Sequence, residues 1–386
     1  MKKAFIFLLP FVLMFSCRKD DEVYIPENFV RYYGTSGDEM ARKVLRLPGG
    51  DLMIAGYGLG PNGGNDVILL KTDMHGNQKW MKYYGGAGNE QCWSVDLCDD
   101  GNVVLGATTS SQGAGADDFW IIKADTAGNV IWSKTYGRQY NDDLTHLVKA
   151  PNGYLAVGIS NSGHDDNAWT LRLDENGDSL WSYNWGGNMG DGAMSAIAID
   201  TGGFVVTGYY ASTQTNGTDG FLLLLNDSGV QVNLYTYGTG HYDEPHAIVP
   251  AIDGDGWVVC GHYGDVEADL NTHNVFLEQI GRNGVKKWRK EFGGAMHDGG
   301  EDLVAGKNAY YIAGRSNSHA GTMEDVFYVK TDAGGNLLDQ QWFGTDADDE
   351  GYGICVGKEA VIICGASSGG PSGGKDIYLQ QFGDVK

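Results

Sequence analysis

Positive charge is scarce in this 386-residue chain: 27 Lys and Arg stand against 50 Asp and Glu, a formal net charge of −23. A phosphate-bearing partner needs a positive field, so nucleic acid is excluded as a partner class, while a cation, a basic protein surface or a neutral glycan stays open. Proline is equally scarce, eight residues against 60 Gly, which implies many tight turns and few rigid breaks. Cysteine gives no framework. After Cys17 there remain Cys92, Cys98, Cys260, Cys355 and Cys364, an odd number without CxxC spacing, which excludes a disulfide scaffold or zinc ribbon and reads as small buried side chains. No helical period follows residue 22. Enzyme signatures are missing as well: no GxSxG elbow, no Walker loop, no metal-hydrolase His spacing and no Ser-x-Asp-x-Gly-x-Thr-Trp box. The remaining enzymatic route is a set assembled across distant segments.

Hydrophobic residues make up 42% of the chain, and 21 Tyr, 13 Phe and 10 Trp argue for a packed core. One long apolar run occurs, AFIFLLPFVLMF after MKK, followed by Ser16-Cys17. It is too short to span a bilayer and reads as an export signal.

The rest of the chain repeats. An aromatic-Gly pair recurs at Tyr33-Gly34, Tyr84-Gly85, Tyr136-Gly137, Trp185-Gly186, Tyr237-Gly238, Phe292-Gly293 and Phe343-Gly344, spaced 51, 52, 49, 52, 55 and 51 residues apart. A Gly closing an apolar run recurs seven times too, from Gly56 to Gly365. Each unit holds four strand-like runs, A to D. In the first unit these are ARKVLRL, LMIAGY, VILLKTD and QKWMKYYG. Strand B is the most apolar throughout, as expected of a strand buried on both faces. The C–D turns repeat Asp-x-x-Gly or Asn-Gly, with Gly supplying positive φ and Asp accepting backbone N–H bonds. Seven four-stranded units of about 50 residues predict an all-β, seven-bladed β-propeller of antiparallel blades. The last unit lacks a strand D, whereas FVRYYG (29–34) is a strand D without a blade. Phe29 falls in the column of Trp80, Trp132, Trp181 and Trp288, so the N-terminal strand is expected to complete blade seven and close the ring. Blade four departs from that column with Asn233.

Residues 29–386 resemble the tandem propellers of bacterial and archaeal surface proteins, with units of the form YGG…D-[DE]…DGG-[YF]…G…K-T-D-x-x-G-N-x-x-W. That resemblance implies a binding or scaffold module and carries over no catalytic residues. Residues 1–16 resemble a lipoprotein signal peptide, with Cys17 as the lipidated first residue of an acidic tether, 17–28. Lys19, Asp20, Asp21 and Glu22 resemble the tag by which Bacteroidota-type lipoproteins reach the outer face of the outer membrane. Both imply a membrane-lipid anchor on Cys17.

Five residues after each repeat glycine stands an acid: Glu39, Glu90, Asp142, Asp191, Asp243, Asp298 and Asp349. A second polar column opens strand C: Asp66, Asp118, Asn167, Asp219, Asn274, Asp325 and Asp376. Both belong to the face of the D–A and longer B–C connections, the expected working face. The acids either ring the channel mouth and attract a cation, or staple their own turns. Carboxylates about 8 Å apart repel by about 2 kcal/mol at an effective dielectric near 20, and a column present in every unit favours the staple. On blade five and the following crossover stand His241, His246, His262, His273 and His297, beside Asp265, Glu267 and Asp269. They form a candidate partner-contact or divalent-metal sector. The Asp-rich turns DENGD and DADDE lack the twelve-residue calcium loop. Asp125-Thr126-Ala127 and Asp178-Ser179-Leu180 resemble O-glycan acceptor triplets, making Thr126 and Ser179 candidate modification sites. No cofactor is implied beyond a divalent cation. The leading functional expectation is a surface lipoprotein docking an outer-membrane or exported protein. A lectin-like module using Trp93, Tyr140 or Tyr210 comes second, and a propeller-type lyase or hydrolase third.

Overall fold

The computed structural model describes residues 27–383 apart from 188, 201, 212–216, 240, 265–272, 320–322 and 358–359. The signal and tether residues Cys17, Lys19, Asp20, Asp21 and Glu22, and the loop acids Asp265, Glu267 and Asp269, lie outside the described residues.

Among the described residues, twenty-eight strands form seven four-stranded antiparallel sheets in a ring. In blade one, strand A is Glu39–Arg46, B is Leu52–Leu59, C is Asn65–Thr72 and D is Gln78–Tyr84. Blade seven joins Asp349–Val356, Ala360–Ser367 and Asp376–Gly383 to the N-terminal Phe29–Tyr33, which pairs from Phe29↔Gln381 to Tyr33↔Ile377. The expected closure is thus present. Strand B is buried along nearly its whole length, as in LMIAGYGL and VVLGATT, so each blade contributes both faces of its centre to the core. The five cysteines after Cys17 are free thiols, four of them buried and Cys355 half-buried.

The repeated phrase joins blades. Trp80, on strand D of blade one, lies against Gly128 in the C–D turn of blade two, where φ is +76° and a Cβ would fall 2.9 Å from the indole. The Tyr84 hydroxyl donates to the carbonyl of that same Gly128 at 2.7 Å. Trp132 on Gly177, Trp181 on Gly229 and Trp288 on Gly335 repeat the clasp, and Phe29 makes it on Gly76. In blade four, where the column holds Asn233, Tyr235 two residues on covers Gly284 instead. The turns themselves are held as expected. Asp73 Oδ1 accepts from the His75 and Asn77 amides at 2.8 and 2.9 Å, and Asp125, Asp174 and Asp332 do the same in their turns.

Candidate functional site: the axial cup and the histidine sector

Strand A of every blade carries a β-bulge at one position, three residues after the repeat acid. The register of A against B skips Arg42, Trp93, Thr145, Met194, His246, Glu301 and Tyr352. A bulge leaves its extra residue outside the ladder and re-aims the side chain. All seven of these side chains line one axial cavity of about 240 Å³. The backbone device is therefore sevenfold, whereas its contents are seven different residues.

Arg42 dominates the cup. Its guanidinium carbon lies 3.9 Å from the centroid of the Tyr352 ring, 4.5 Å from Trp93 and 5.6 Å from Tyr57. Nη2 donates to the Tyr57 hydroxyl at 3.1 Å, whereas Nε is buried with no hydrogen-bond partner. Opposite stands a hydrogen-bonded chain of His246, Glu301 and Arg315. His246 Nδ1 is 3.2 Å from Glu301 Oε2, and Arg315 Nε donates to Glu301 Oε1 at 3.1 Å. Burial alone would raise the Glu301 carboxyl, but His246, Arg315 and Arg42 hold it far below the usual carboxylate range. Burial alone would likewise depress His246, and Glu301 reverses this and lifts it.

One residue deeper, side chains lock adjacent blades. Ser94 Oγ accepts from the Leu147 amide at 3.0 Å, His146 Nδ1 from the Ala196 amide at 3.3 Å, and Asp302 Oδ2 from the Ile354 amide at 2.9 Å. Lys43 reaches past Gly353 to Asp302 at 2.7 Å. Burial, with Lys43 nearby, lowers His146 to about 3, in keeping with an imidazole nitrogen that must accept an N–H.

The seven repeat acids are buried, none more than 3% exposed. Each accepts the backbone N–H four residues earlier: Thr35 to Glu39, Gly86 to Glu90, Arg138 to Asp142, Gly187 to Asp191, Thr239 to Asp243, Gly294 to Asp298 and Thr345 to Asp349. Hydroxyls add second bonds, such as Thr109 to Glu90 at 2.8 Å, and Arg289 pairs with Asp243 at 2.7 Å. Each acid faces the strand C polar residue of the preceding blade across the repeat glycine. A Cβ on Gly85 would lie 1.9 Å from Asp66 Oδ1 and 2.4 Å from Glu90 Oε2.

The histidine sector is assembled in part. Around His262, the rings of His246, His273 and His297 lie at centroid distances of 4.9, 5.2 and 6.1 Å. His262 Nε2 is 2.9 Å from Glu244 Oε2, and His273 and His297 approach through their Nδ1 atoms at 3.1 Å. The His262 contact lowers Glu244, and burial lowers His297 to about 4. His241 is exposed at the approach to the same strand. Thr126 and Ser179 are exposed at C–D turns. Among the aromatic candidates, Trp93 lies in the cup, Tyr140 is exposed over Gly163, and Tyr210 packs edge-on against Trp185.

Sequence reasoning passed over Arg42, Glu301 and Tyr352. The available signal was inverted: three residues after each acid, the one position where seven aligned units bear seven different residue types.

No family model matches the chain. The regulatory protein FlaEY of Caulobacter vibrioides is 26% identical over 109 residues, 25% of this chain and 11% of that protein, so the chain spans about a tenth of that relative. Among solved structures, the polysaccharide lyase Uly1 superposes with a TM-score of 0.55 at 10% identity, over 89% of both chains. Sqt1 of Chaetomium thermophilum, bound to the N-terminus of ribosomal protein L10, gives 0.51 at 12% identity over 93% of this chain and 100% of that one. The WD40 domain of Neurospora crassa Pan2 gives 0.50 at 12% identity over 90% of both. At these identities the likeness is one of fold alone, and it takes in both a polysaccharide lyase and a WD40 domain.

Proposed function

We propose that this protein is a non-catalytic binding module, lipid-anchored through Cys17 on the outer face of the outer membrane, whose axial cup docks a protein partner. One observation carries the reading. Seven equivalent bulges aim seven unlike side chains into one cavity, so a symmetric ring presents an asymmetric, chemically distinct cup to a partner. The cavity is below the ~300–1,000 Å³ typical of small-molecule sites and suits one anchoring side chain of a larger partner. Arg42, its guanidinium held among three aromatic rings in the cavity wall, suits an anchor that ends in a carboxylate. Sqt1, which holds a protein N-terminus, supplies a precedent on the same fold. Export and anchoring rest on the signal segment and Cys17. The test is affinity purification of the tagged full-length lipoprotein from gently solubilised outer membranes, followed by mass spectrometry. A stoichiometric protein partner lost in Arg42→Ala is expected; a solitary wild-type protein, or a partner indifferent to that change, overturns the reading.

A second reading is favoured by the same cup. A cation beside Trp93 and Tyr352 also suits an acidic sugar stacked on a ring, and a glycan array with turnover assays on uronate polysaccharides addresses binding and cleavage together.

A further inference from the structure

We propose that Glu244, His246 and His262 bind a divalent first-row transition ion of the Zn²⁺ class on the loop face of blade five. One ligand-capable atom from each residue lies within 4.8 Å of the other two. The three come from paired strands, since Glu244 faces His262 across the A–B ladder and His246 is the bulge residue two places on. Metal–nitrogen and metal–oxygen bonds of about 2.0–2.2 Å put tetrahedral donors roughly 3.3 Å apart. Glu244 Oε2 and His262 Nε2 are already 2.9 Å apart, so seating an ion requires a small rotation of side chains rather than movement of backbone.

The orienting contacts are in place. Metal-bound histidines are ordinarily held by a carboxylate on the other ring nitrogen, which fixes the tautomer and turns the lone pair to the ion. His246 Nδ1 has that contact with Glu301 at 3.2 Å, and Glu301 is itself fixed by Arg315. His246 Nε2 is thereby left for the metal. Further donors surround the set: the His273 ring lies 5.2 Å from His262, and its Nδ1 stands 3.1 Å from His297 Nδ1, a contact in which at least one nitrogen bears no proton. Two imidazoles and one carboxylate satisfy a borderline cation better than Ca²⁺ or Mg²⁺, which prefer oxygen shells. The set leaves a fourth position for water or for a group on a bound partner. This inference stands whether or not the axial cup docks a protein.

The experiment uses untagged, chelator-stripped protein, titrated with Zn²⁺ by calorimetry and with Co²⁺ followed by visible absorption. One ion per chain is expected, with a Kd of about 1 µM or tighter and the intense bands of a four-coordinate Co²⁺ complex. His262→Ala and Glu244→Gln are each expected to weaken binding about 100-fold, and Glu301→Gln about 10-fold. His164→Ala, an exposed histidine on blade three, is expected to bind as wild type. Circular dichroism checks that the variants fold, and the wild-type Co²⁺ spectrum needs no variant. Absence of saturable binding in the wild type, a weak six-coordinate Co²⁺ spectrum, or undiminished affinity in folded His262→Ala and Glu244→Gln overturns the proposal.

Discussion

At the scale of single residues, the interblade corner sets two carboxyl groups against one glycine. Asp66 is buried, its Oδ1 has no donor, and the Glu90 carboxyl stands beside it. Burial first and Glu90 second raise the Asp66 pKa above the ordinary carboxylate range. A group whose folded-state pKa is raised contributes stability that is full below its unfolded value, near 3.9, and is lost as pH climbs through the folded value. Blades three and five avoid this cost with Asn167 and Asn274 in the same column, facing Asp191 and Asp298. Asp66→Asn, which is neutral at every pH and brings a donor to Glu90, is therefore expected to stabilise the protein by about 1 kcal/mol at pH 7.5. That corresponds to a rise of roughly 2 °C in Tm, with little change at pH 4. Thermal melts at the two pH values check it; a destabilised variant at pH 7.5 would mean that the Asp66 charge itself is needed.

Among the elements, strand D shows what a repeat makes legible and what it hides. Strand order, the apolar B strands, the turn chemistry and the ring closure were readable because each recurs in register, and register is what periodicity reports. The bulges were not. An inserted residue leaves the apolar pattern on both sides intact, and a variable position looks like noise beside invariant columns. Of the histidine sector, the residues were readable but not their contacts, since those depend on how blades five and six meet. Blade four tests the distinction between column and contact. Asn233 sits in the Trp column yet is exposed, whereas half-buried Tyr235 covers Gly284. Tyr235→Ala should cost about 1–2 kcal/mol, less than for a fully buried aromatic, and Asn233→Ala should stay within about 0.5 kcal/mol. Urea unfolding of the two variants measures both. Equal effects would show that the clasp does not bear on the stability of blade four.

For the whole molecule, stability rests on closure. A ring of blades gains a last interface only if the first and last blades meet, and Phe29–Tyr33 makes that meeting from both sides. It supplies the outer strand of blade seven, and through Phe29 and the Tyr33 hydroxyl it clasps Gly76 of blade one. The seam is completed inside by the Glu39 amide donating to the Lys375 carbonyl at 2.7 Å and the Lys375 amide to Asp38 at 2.8 Å. A chain starting at Gly34 keeps these inner bonds but leaves Asp376–Gly383 as an open edge, which invites pairing with a second molecule. It is expected to melt about 10 °C or more below the full propeller and to associate with rising concentration, both of which melting curves and size-exclusion chromatography report. Phe29→Ala separates the two contributions, because it retains the strand pairing and removes the aromatic part of the clasp, leaving only the Tyr33 hydroxyl on Gly76. A loss of about 3 kcal/mol without association is expected, in line with removal of a buried aromatic. A truncated chain that melts with the full-length protein and stays monomeric would place the closure entirely in the inner strands, with the N-terminal strand merely covering them.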